Sequence, residues 1–120
     1  MKYALLVYSD QSAWQDHTDE EAARLREESM PAWIRLFEEM GKADPNVEGF
    51  ELESAVEAKV VRIRDGERIV VDGPYAETKE QIGGLFLTEL PDLDEAIRIA
   101  SLVPAAGYGS MEIRPIVEQS

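Results

Sequence analysis

The chain has no cysteine, so it has no disulfide framework, no thiolate nucleophile and no cysteine-based metal site. It holds a single histidine, His17. Positive charge is also scarce. Twelve Lys and Arg stand against 25 Asp and Glu, a formal net charge of −13. Nucleic acid backbones and anionic lipid surfaces both need clustered cations, so neither is an expected partner. No apolar run approaches the roughly 20 residues of a membrane span, and the N-terminus shows no charged and apolar leader. Those absences point to a cytoplasmic protein. No P-loop, dinucleotide fingerprint, GxSxG or HExxH occurs, so no cofactor is expected and no metal site stands out.

What remains is an ordinary globular composition, 44% hydrophobic over 120 residues, enough for one domain spanning 1–120. Lys2-Tyr3-Ala4-Leu5-Leu6-Val7-Tyr8 is apolar after its lysine and reads as a buried strand. After the polar turn at Ser9–Ser12, Thr18 and Glu21 have capping-box spacing for a helix. The stripe Ala22, Leu25, Trp33, Leu36, Phe37 and Met40 continues that helix towards a stop at Gly41. Pro31 removes a donor and predicts a kink or break near Glu28–Met30. A loop through Asp44-Pro45-Asn46 leads to a short strand over 50–53.

Asp65-Gly66 is a favoured two-residue hairpin turn between 59–64 and 67–72. It sets Arg64 opposite Glu67, Arg62 opposite Ile69, Val60 opposite Val71 and Lys59 opposite Asp72. A strand over 85–90 follows, then a second helix with Asp92 as N-cap and Glu95 at the capping-box position. Its stripe is Leu93, Ala96, Ile97, Ala100 and Val103. A final strand, 111–114, meets Pro115. The order is β-α-β, hairpin, β-α-β, which predicts an α+β fold: a ferredoxin-like βαββαβ sandwich with an inserted β-hairpin. Two helices cover only one face of such a sheet. The apolar face left bare predicts a homodimer through the sheets.

Between the hairpin and the next strand lies Val71-Asp72-Gly73-Pro74-Tyr75-Ala76-Glu77-Thr78-Lys79-Glu80-Gln81-Ile82-Gly83-Gly84. Gly73, ahead of a proline, is free to take positive φ, and the Gly83-Gly84 pair is flexible. Loops held between rigid elements gather binding and catalytic groups. Asp72 either forms a plain cross-strand ion pair with Lys59 or, partly buried, acts as a general base. Glu77 and Glu80 would share a face in a helical turn, with Lys79 as their counter-charge. A hard-cation site with Asp72 would want more oxygen ligands. Arg62 and Arg64, on one hairpin face, offer a clamp for an anionic ligand or a surface pair with Glu67. Tyr8, Trp14, Tyr75 and Tyr108 stand at element ends, as pocket mouth or core rim. His17 reads as a solvated loop residue.

Asp72 to Gln81, with 2–8, 61–66, 91–96 and 112–115, resembles the YCII-related domain family and its DGPF-type branch. In that branch a strand ends in Asp-Gly-Pro-aromatic and runs on as Ala-Glu-Thr-Lys-Glu. The resemblance implies a dimeric α/β-barrel arrangement and a small-molecule cavity near the signature loop. It also implies possible lyase- or isomerase-like acid–base chemistry. The His-Asp pair proposed for the wider family does not transfer: His17 precedes the helix cap, and Tyr108 stands where relatives carry a histidine. Three functions follow: a small enzyme with Asp72 as base; a non-catalytic ligand-binding or regulatory module linked to sigma-factor-type control; a structural interaction domain. Ligand contacts would come from Arg62, Tyr75, Glu77, Lys79, Glu80, Tyr8 and Tyr108.

Overall fold

A computed structural model describes residues 1–12 and 17–118, so Trp14 lies outside the described residues. Strand β1 (Lys2–Ser9) runs at the centre of a four-stranded antiparallel sheet ordered β2-β5-β1-β6. β2 is Glu48–Glu51, β5 is Gln81–Glu89 and β6 is Ser110–Pro115. Helices α1 (Asp19–Ala43) and α2 (Leu93–Ser101) provide the crossovers that complete a ferredoxin-like α+β fold. The hairpin β3 (Lys59–Arg64) and β4 (Glu67–Asp72) forms its own two-stranded sheet.

Pairing of Leu5 with Phe86 and Ile113 fixes which side chains share a face. Tyr3, Leu5, Val7, Phe86, Met111 and Ile113 line the helix side. There they meet Leu36 and Met40 of α1 and Ala96 and Ile99 of α2, together with Val103 and Ala105 just beyond it. Alternation turns Ala4, Leu6, Tyr8, Leu85, Leu87 and Phe50 to the other side, which no helix among the described residues covers.

Both helices start where their capping residues stand. Glu21 donates its backbone N–H to Thr18 Oγ1 at 3.1 Å, and Glu95 does the same to Asp92 Oδ1 at 2.9 Å. Pro31 does not break α1, which runs unbroken through it. The proline sits on an exposed face, where water can take the carbonyl freed by its missing donor, while Leu36 and Met40 anchor the following turns. Nor does the helix stop at Gly41. It runs two residues further, to Ala43, and the N–H of Asp44 closes it on the Met40 carbonyl at 2.8 Å.

The hairpin register is the predicted one, Lys59 opposite Asp72 through Arg64 opposite Glu67. Asp65 (φ 52°) and Gly66 (φ 78°) both take the positive φ that a primed two-residue turn demands. Gly73 does not. Its requirement is close approach: a Cβ there would lie 2.9 Å from the Ala58 Cβ, and its N–H bonds the Ala58 carbonyl at 2.8 Å. The Gly73-Pro74 peptide is cis. Gly83 and Gly84 are not a loose pair either, for β5 begins at Gln81 and holds them in a ladder between β1 and β2, with a bulge opposite Val7 and Tyr8.

Candidate functional site

A cleft of about 850 Å³ opens between the first half of α1 and the end of the sheet. It opens where α1 no longer packs against the sheet. From Leu36 onward the helix buries large residues against the sheet, whereas no residue of its first half is buried. Beneath that first half the sheet offers only Ser9, Gly83 and Gly84 beside Val7. Trp33 and Phe37 close one wall, their ring centroids 5.9 Å apart, and Phe50 and Leu52 form another. Polar groups are few: Ser9, Gln11, Ser29, Glu51 and Tyr108. Arg26 is the one cation among the described lining residues. Gln11 is held in place, its Oε1 accepting the Ala55 N–H at 2.9 Å.

The residues singled out in the sequence fall into three places. Tyr108 lines the cleft, with its phenol pushed above the ordinary value by desolvation. Tyr8 points from the opposite, bare face, where its hydroxyl donates to Glu112 Oε1 at 2.9 Å. That bond raises the Tyr8 phenol and lowers the Glu112 carboxyl, which Arg114 also lowers from 3.2 Å. The others sit on or just after the hairpin. The Lys59 ammonium donates to Asp72 Oδ1, in an exposed pair that holds the Asp72 carboxyl below its usual range. Arg62 lies over the Tyr75 ring, 5.6 Å from its centroid, and Tyr75 is otherwise exposed.

Glu77 and Glu80 do not share a helical turn, since no helix forms between β4 and β5. The Gln81 side-chain amide instead ties the segment by donating to the Ala76 and Thr78 carbonyls at 2.8 and 2.9 Å. Glu77 and Lys79 remain exposed, and Glu80 accepts from the Ser110 hydroxyl at 2.7 Å. Among the described residues no three of His, Asp and Glu converge as a metal cage would require. The sequence reading missed Arg26, Ser29 and Trp33 as a set. Their spacing of three and four places them on one helix face, a signal that also describes any core stripe.

The comparisons with known proteins now bear on this geometry. The YCII-related domain matches residues 1–120. This chain belongs to the YCII-related domain family. An uncharacterised protein of Rhizobium meliloti (strain 1021) is 39% identical over 121 residues, covering 97% of this chain and 92% of that protein. The YCII-related fold thus extends over the elements that form the cleft as well as the signature loop. Among the described residues no helix is long and apolar enough to cross a membrane.

Proposed function

We propose that this YCII-related protein binds a small organic molecule in the cleft beneath the first half of α1, as a homodimer joined across the bare sheet face. The cleft carries the reading. Its volume lies within the ~300–1,000 Å³ typical of small-molecule sites, and its walls are mostly apolar with a few convergent polar groups. Trp33 and Phe37 favour a flat or apolar ligand body, and Arg26 favours an anionic group on it. In a chain of net charge −13, an anion needs such a local cation.

Binding without proton chemistry at the signature loop is the reading the geometry supports best. Asp72 does not line the cleft, and its pairing with Lys59 makes it a weaker base than an ordinary carboxylate. The bare face supports the dimer. Ala4, Leu6, Leu85 and Leu87 lie there beside Phe50, which is 49% exposed.

The test is a thermal-shift panel of aromatic and aliphatic carboxylates, with their neutral amides as controls. Carboxylates should raise Tm, and Arg26→Gln should abolish the difference between acid and amide. Equal shifts from acids and amides in the wild-type chain would remove Arg26 from the site. Shifts that survive Trp33→Ala with Phe37→Ala would move the ligand elsewhere. Chromatography of each bound compound after incubation separates binding from turnover.

A further inference from the structure

The β3–β4 hairpin leaves apolar surface exposed on both of its sides. Among the described residues it pairs with no other strand, and a two-stranded ribbon alone is marginal in water. On one face Val61, Ile63 and Val70 are 59%, 59% and 54% exposed. The other face exposes Ile69 and Val71. The chain accordingly spreads to 49 × 48 × 20 Å, with a radius of gyration of 16.6 Å. A compact chain of this length would have about 13.6 Å.

Charge says what surface this arm fits. Residues 59–72 hold four of the chain's 12 Lys and Arg but only three of its 25 Asp and Glu, so the whole acidic excess resides on the rest of the molecule. Lys59 is paired with Asp72, which leaves Arg62, Arg64 and Arg68 as cations without an ion pair among the described residues, and of these Arg68 shares the Val61 face. The body offers a counterpart on α1. Met30, Ile34 and Phe37, spaced four and three apart, form an exposed apolar stripe, each just over half exposed. Glu27 and Glu38 run along its solvent side. The stripe is ~10 Å long at 1.5 Å per residue, and Val61 to Ile63 span ~7 Å. Arm and stripe are both exposed in one chain, so they do not cover each other within it.

We propose that the β3–β4 arm of one chain docks its Val61, Ile63 and Val70 face on the α1 stripe of a second copy. Arg68, which shares that face opposite Ile63, then meets the row of Glu27 and Glu38. The proposal rests on the homodimer reading above and adds a second contact to it. Two-fold symmetry lets each copy give one arm and receive one, doubling the contact. Phe37 belongs to both stripe and cleft, so a docked arm lies at the rim of the partner's ligand site.

Sedimentation equilibrium of the full chain tests it. Val61→Asp on the arm and Ile34→Glu on the stripe should each raise the dimer Kd at least tenfold while leaving the circular dichroism spectrum unchanged. Reversing charge on the docking face (Arg68→Glu) should weaken the dimer. Adding Glu27→Arg and Glu38→Arg to the same chain should restore it, a rescue that a folding defect would not give. A wild-type dimer indifferent to all these changes overturns the arm contact and leaves the sheet-face dimer standing. A monomeric wild-type chain overturns both.

Discussion

Asp44 is the polar residue that the fold depends on most, and the sequence presented it only as part of a loop. It is buried, and it accepts from the Glu89 N–H at 2.9 Å, the Asn46 N–H at 3.0 Å and the Thr88 hydroxyl at 3.1 Å. Those bonds, the Glu89 amide first, hold its carboxyl below the ordinary 3.8. Such a depressed carboxylate contributes its full stability above the unfolded value and loses it as pH falls through the folded one. Asp44→Ala should therefore destabilise by ~1–3 kcal/mol at pH 7, by leaving buried donors unpaired. The difference from wild type should shrink below about pH 4, which urea midpoints across a pH series will read. Asp72 makes the contrast: Asp72→Asn should leave the midpoint within experimental scatter, because Asp72 and its partner Lys59 are both open to solvent. Gly73→Ala should cost roughly 1–3 kcal/mol through the clash with Ala58 rather than through any backbone strain. An unchanged midpoint would show that Ala58 moves aside freely.

At the scale of elements, legibility followed local chemistry. The hairpin register was readable because Asp65-Gly66 admits positive φ at both positions and so leaves one alignment. Gly66→Ala should then cost ~1 kcal/mol or more by denaturant melt, with Asp65→Ala costing less than that where Gly was never needed. Both helix starts were readable from Thr18 and Asp92 because a cap is a contact between residues three apart. What the sequence hid was long-range. Gly83 and Gly84 look like a hinge until β1 and β2 pair on either side of them. Asp44 reads as a turn residue until the end of β5 is seen to donate to it. The cleft was hidden for the same reason: Arg26, Trp33, Phe50 and Tyr108 come from four separate stretches of chain and share no motif. Of the residues offered as ligand contacts, Tyr108 lines the cleft, whereas Tyr8, Arg62, Tyr75, Glu77, Lys79 and Glu80 do not.

For the whole molecule, the proposed homodimer would have to bring together two chains of net charge −13. Repulsion between the bodies acts across distances comparable to the molecule's 20–49 Å extents, whereas the proposed arm pairs act at contact. Salt treats the two differently. Raising ionic strength from ~10 mM to ~150 mM shortens the screening length from about 30 Å to about 8 Å, which removes most of the body repulsion. Partly desolvated pairs a few ångströms apart are screened much less. Added salt should therefore tighten the dimer, and the Arg68→Glu chain should gain more from it than wild type, because its extra two units of negative charge add to the repulsion. Sedimentation equilibrium at the two ionic strengths checks both statements. A wild-type dimer that loosens with salt would mean that exposed ion pairs dominate the association, leaving the apolar ridge and the bare sheet face as minor contributors.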